Sequence, residues 1–114
     1  GILGAIGRYQ NAYRERSVKA LKAVYPGLPR EMEQQLGRAF SRDCRAYDFA
    51  YLNPSVAFTP DDPTAATVTA LTTYTCQPRS GQAAAGVSGQ EVFMMRKAGD
   101  TWVIERALMD ERAR

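Results

Sequence analysis

Histidine is absent from these 114 residues. That absence removes imidazole acid–base catalysis, Ser-His and Cys-His nucleophile activation, and nearly every catalytic zinc site. Cysteine is scarce: Cys44 and Cys76 are the only two. Two thiolates without histidine do not complete a zinc tetrahedron, so neither a metal nor a cofactor is expected. No apolar run approaches the roughly 20 residues of a membrane helix, and the first residues lack the charged-then-apolar layout of a signal peptide. No membrane insertion is therefore expected of this domain. There is no glycine-rich phosphate loop, heptad pattern or internal repeat. A one-signed charge field is missing too: fifteen Lys and Arg are interleaved with twelve acids for a net +3. This is the pattern of a solvated mixed surface, and no nucleic-acid partner is expected.

With 45% hydrophobic and 24% charged residues, the chain has the composition of one globular domain, residues 1–114, large enough to bury a core of its own. It opens on Gly1-Ile2-Leu3, already in helical apolar spacing and without an initiator Met, which suggests excision from a longer, bacterial protein. Ile2, Ile6, Tyr9 and Tyr13 draw one apolar stripe along a first helix that runs to about Arg16. Arg8, Arg14, Arg16, Lys19 and Lys22 fall on its solvated side and that of the next helix. Ser17 suits an N-cap for a short second helix carrying Val18, Leu21, Val24 and Tyr25, stopped by Pro26-Gly27. Pro29 suits the first turn of a third helix, with early acids Glu31 and Glu33 and an end near Ser41.

After Asp43 the period changes from helical to alternating. Cys44 to Val56 sets Tyr47, Phe49 and Tyr51 on one face; Ala65 to Cys76 is rich in Thr, Ala and Val. Pro78 to Gly89 reads as a loose connection, and Glu91 to Lys97 with Thr101 to Met109 as a hairpin around Ala98-Gly99-Asp100, covered on both faces. The expected order is three helices, then four antiparallel strands.

Cys44 and Cys76 each lie sixteen residues from Pro60, the midpoint of the Phe58-Thr59-Pro60-Asp61-Asp62 loop. A hairpin turning at Pro60 would bring the two sulfurs face to face, and that register would fix which side chains enter the core. Bridged, they imply an oxidising, extracytoplasmic compartment such as periplasm or cell surface; free, they are small buried hydrophobes.

The tyrosine-bearing first helix, the short second helix ending in Val24-Tyr25-Pro26, the third helix, two long strands and the closing Gly99-Asp100-Thr101-Trp102-Val103-Ile104-Glu105 hairpin together resemble the nuclear transport factor 2-like superfamily. The resemblance implies an α+β fold: three N-terminal helices packed on a strongly bent four-stranded antiparallel sheet. It implies a cone whose mouth holds a pocket, and homodimerisation through the outer face of the sheet. The superfamily includes ketosteroid isomerases, scytalone dehydratase, polyketide cyclases and many noncatalytic domains, so the fold by itself selects no activity.

On this reading Tyr9, Tyr13, Phe49, Met94 and Trp102 line an apolar cavity with a few polar tips, the makeup of a small-ligand site; the plainer assignment for each is core. An isomerase-like alternative takes Tyr13, or Tyr9, as hydrogen-bond donor and Asp43 or Asp48 as base. Asp43 stands between Arg42 and Arg45, surroundings that favour a surface ion pair. A third alternative is a structural dimerisation module with a filled cone. The expectation is a noncatalytic accessory or sensory domain that binds a small apolar ligand, dimerises, or both.

Overall fold

The computed structural model describes residues 1–111. Three helices come first: α1 (Ile2–Arg14), α2 (Val18–Val24) and α3 (Arg30–Arg38), the last running into a single π turn, Ala39–Asp43. Four strands follow, β1 (Cys44–Thr59), β2 (Asp62–Pro78), β3 (Ala85–Ala98) and β4 (Thr101–Glu111), in one antiparallel sheet of order β1-β2-β3-β4. No helix among the described residues is long and apolar enough to cross a membrane.

The α1 stripe is buried as its spacing predicts: Ala5, Ile6, Tyr9, Ala12 and Tyr13 are all enclosed. Against them stand Phe49, Val68, Phe93, Met95 and Ile104, inward residues contributed by all four strands. Tyr9 meets Phe49 and Phe93 edge-on at centroid distances of 5.0 and 5.6 Å, favourable geometry for aromatic quadrupoles. Ser17 caps α2, its hydroxyl accepting from the Ala20 amide at 3.0 Å. Not all the basic residues in and just after α1 are merely solvated. Arg8 donates to the Trp102 carbonyl at 2.7 Å and Arg16 to the Cys44 carbonyl at 3.1 Å, so α1 is fastened to both edge strands.

The register departs from a hairpin mirrored about Pro60. Thr59 pairs with Asp62 across a two-residue turn in which Asp61 takes a positive φ of 62°. Register shifts then intervene between Phe58 and Thr59, between Leu52 and Ser55, and between Cys44 and Ala46. Each such irregularity gives one strand more residues than its partner and slides the pairing. Phe49 consequently faces Tyr74, Tyr47 faces Cys76, and Cys44 faces Pro78. The disulfide forms even so: it runs diagonally between Cys44 and Cys76, whose Cα atoms are 5.5 Å apart.

β3 begins at Ala85, within the stretch read as a loose connection, because the end of β2 still offers backbone groups to pair: Cys76 faces Ala85 and Tyr74 faces Val87. Small residues permit the approach. A Cβ on Gly86 would lie 3.1 Å from the Tyr74 carbonyl oxygen. The β3–β4 ribbon is covered on one face only: Phe93 and Met95 are buried, whereas Met94 and Leu108 are exposed on the other side.

Candidate functional site

Between the helices and the concave face of the sheet lies a cavity of about 260 Å³. Its mouth is rimmed by Met32 and Leu36 from α3 and by Val87 and Met109 from the far ends of β3 and β4. Tyr25, Tyr47 and Ala107 form its walls, and Tyr9, Tyr13, Tyr74 and Glu91 make its polar floor.

Glu91 organises that floor. Strand alternation aims its side chain inward beside Phe93, and it is only 4% exposed. Its neighbour on β2, Thr72, donates to one carboxylate oxygen at 2.8 Å. Tyr74, two residues along β2, donates to the same oxygen at 2.7 Å and lies 2.9 Å from the other. The Tyr9 and Tyr74 hydroxyl oxygens are 2.9 Å apart, and those of Tyr9 and Tyr13 are 3.3 Å apart.

An ionised carboxylate only accepts, and each phenol has one proton. Tyr74 therefore spends its proton on Glu91 and accepts from Tyr9, which in turn accepts from Tyr13. The chain has a direction set by the charge at its end. Burial pushes the Glu91 carboxyl above the ordinary range, against the opposing effect of the bonds from Tyr74 and Thr72. Burial likewise raises Tyr9, Tyr13 and Tyr74, so all three phenols stay protonated at neutral pH.

Of the five residues expected to line the cone, Tyr9 and Tyr13 do so. Phe49 is wholly buried behind them in the core. Trp102 lies beside the start of α1, with Phe58 at 6.1 Å, away from the cavity lining. Met94 points to the opposite face of the sheet. The two candidate bases are also elsewhere: Asp48 is in an exposed ion pair with Arg14 at 2.7 Å, and Asp43 in one with Arg42 at 3.1 Å. The carboxylate that does enter the cone, Glu91, was signalled in the sequence only by its alternation with Phe93 in an apolar strand. No cluster of three or more His, Cys, Asp or Glu suited to a metal occurs among the described residues.

No protein-family model matches this sequence, and the search of curated proteins finds no match. Solved structures are similar in fold. A scytalone dehydratase candidate from Novosphingobium aromaticivorans superposes with a TM-score of 0.83 at 14% identity, over 98% of this chain and 82% of the other. An aromatic ring hydroxylase candidate from the same organism gives 0.81 at 18% identity, over 99% and 87%. A nuclear transport factor 2-like superfamily protein from Salmonella enterica serovar Typhimurium gives 0.77 at 16% identity, over 99% and 89%. At these identities the likeness is one of fold.

Proposed function

The chain has the nuclear transport factor 2-like fold, and on that frame we propose that it is a noncatalytic binding domain, an accessory or sensory part of a bacterial protein, that takes a small, largely apolar ligand into its cone. The observation that carries this reading is the cavity itself: about 260 Å³, walled by aromatic and aliphatic side chains, with its few polar groups gathered on one floor. Ligand sites have this makeup, apolar walls for affinity and a small convergent polar set for orientation. The experiment is a native mass spectrum of unreduced protein taken directly from expression. A retained small molecule is the expected result; a bare protein that also fails to take up a neutral apolar fluorophore would retire the reading.

Pairing of two copies through the sheet is the second part of the proposal. Leu52, Leu71, Met94 and Leu108 are exposed on the outer face, an apolar concentration that monomers rarely leave open. On β4 the outward Arg106 and Asp110 flank Leu108, so a two-fold axis near Leu108 would set each Arg106 against the partner's Asp110.

One observation favours an isomerase-like alternative: a buried carboxylate pushed upward and bonded to a phenol is the environment of a general base beside an oxyanion donor. In that reading Glu91 replaces Asp43 or Asp48 as the base. Proton exchange on an enolisable ketone, followed by NMR in deuterated water, tests it; no exchange above background removes it.

A further inference from the structure

Among the described residues Glu91 has no counter-charge. Its carboxylate is held by Thr72 and Tyr74, both neutral. The four ion pairs among the described residues all join other, more exposed side chains. No Lys or Arg among the described residues lines the cavity. A buried carboxylate costs several kcal/mol unless a cation or a full set of hydrogen bonds compensates it. Here the hydrogen bonds come from one side only, and the other side is cavity.

The walls supply a second kind of recognition. Tyr9, Tyr13, Tyr25, Tyr47 and Tyr74 all line the space, and phenol faces attract organic cations electrostatically. With Glu91 ionised, the Tyr13→Tyr9→Tyr74→Glu91 chain of donors presents oxygens as acceptors to whatever enters. A carboxylate or phosphate ligand would meet repulsion; an ammonium would meet a counter-ion, ring faces and open lone pairs together.

We infer that the ligand of this cone is a small organic ammonium, a cationic head on an apolar or aromatic body, with its head against Glu91 and its body toward Met32, Leu36 and Met109. The inference rests on the cone being a ligand site and names the class of ligand it takes. Binding would supply the missing counter-charge and hold Glu91 ionised.

The test uses two probes of matched shape, 2-phenylethylammonium and neutral 2-phenylethanol, titrated calorimetrically into the protein at pH 8. The expected result is a preference for the ammonium of at least about tenfold, the scale of one well-placed charge contact. The Glu91→Gln variant should reduce that preference to near unity while still taking up the alcohol. Should that variant not fold, the same comparison on the parent protein at acid pH replaces it. The other titratable groups facing Glu91 are phenols: Tyr9 and Tyr13 from α1, Tyr25 after α2, Tyr47 from β1 and Tyr74 from β2. Among the described residues α3 and β4 contribute only apolar side chains to the lining. Among the described residues Glu91 is thus the one lining group that titrates in the acid range, and protonating it should abolish the preference while the probe remains an ammonium. Equal binding of the two probes, or a preference that survives Glu91→Gln, overturns the ammonium assignment and leaves the cone as a site for neutral ligands. Binding of neither probe overturns both.

Discussion

The Tyr74 hydroxyl stands 2.7 Å from one carboxylate oxygen of Glu91 and 2.9 Å from the other, across the β2–β3 ladder. The two residues sit on adjacent strands, four positions out of direct opposition, since Glu91 faces Ala70 and Tyr74 faces Val87. The reach of the tyrosine ring closes that diagonal.

Removing this hydroxyl isolates the charge. Tyr74→Phe leaves Glu91 with Thr72 as its remaining donor and is expected to cost about 1 to 3 kcal/mol at pH 8, the scale for a buried acceptor stripped of a partner. The loss should shrink under acid conditions, where Glu91 is neutral. Urea unfolding at both pH values checks it; a loss equal at the two would mean that ring packing, and not the charge, is what changed.

Glu91→Gln should act in the opposite sense. Because the folded carboxyl is raised by burial, its contribution to stability is fully present below the unfolded value and is lost as pH rises through the folded one. The variant should therefore match the parent near pH 4 and be the more stable of the two near pH 8. Melting temperatures across that range decide it, and a variant less stable at both ends would contradict the account.

The Cys44–Cys76 bridge closes a loop whose ends are 32 residues apart, and its reduction is expected to remove roughly 3 to 4 kcal/mol by releasing the unfolded chain. Unfolding with and without reductant measures this. Thiol titration of unreduced, denatured protein should count zero; two reactive thiols would show that the bridge does not form.

Charge on the outer sheet should separate the proposed pair. Leu71→Glu, at a position 44% exposed, leaves the core untouched. It is expected to convert a dimer to a monomer in sedimentation velocity, with the melting temperature of the dilute protein little changed. An already monomeric parent would refute pairing through this face.

The fold was legible wherever one residue's environment follows from its neighbours in sequence. The α1 stripe of Ile6, Tyr9 and Tyr13, the Ser17 cap and the inward set of Tyr47, Phe49 and Tyr51 are local patterns, and each lies where its spacing puts it. What failed to show was geometry that accumulates over distance. The three register shifts in β1–β2 leave no mark on alternation of apolar residues, yet together they turn a face-to-face cysteine pair into a diagonal one. Small residues hid the first half of β3, because Ala85, Gly86 and Gly89 have low strand preference and pair only by virtue of the ready-made edge of β2. Glu91 does not stand out in the sequence, since an acid in a strand ordinarily faces water and its inward aim depends on that same β3 register.

In the sheet each strand pairs only with its neighbours in the chain, so the distant connections of the molecule are made by the helical segment: Arg8 reaches Trp102, 94 residues on, Tyr25 accepts from the Ala107 amide, 82 residues on, and Tyr9 reaches Tyr74, 65 residues on. During synthesis, which proceeds from the N-terminus, the greasy side of α1 is made first and covered last. Ala5, Ile6, Tyr9, Ala12 and Tyr13 wait for the final hairpin before they are enclosed. A nascent chain halted before β4 would thus carry an unsheltered amphipathic helix.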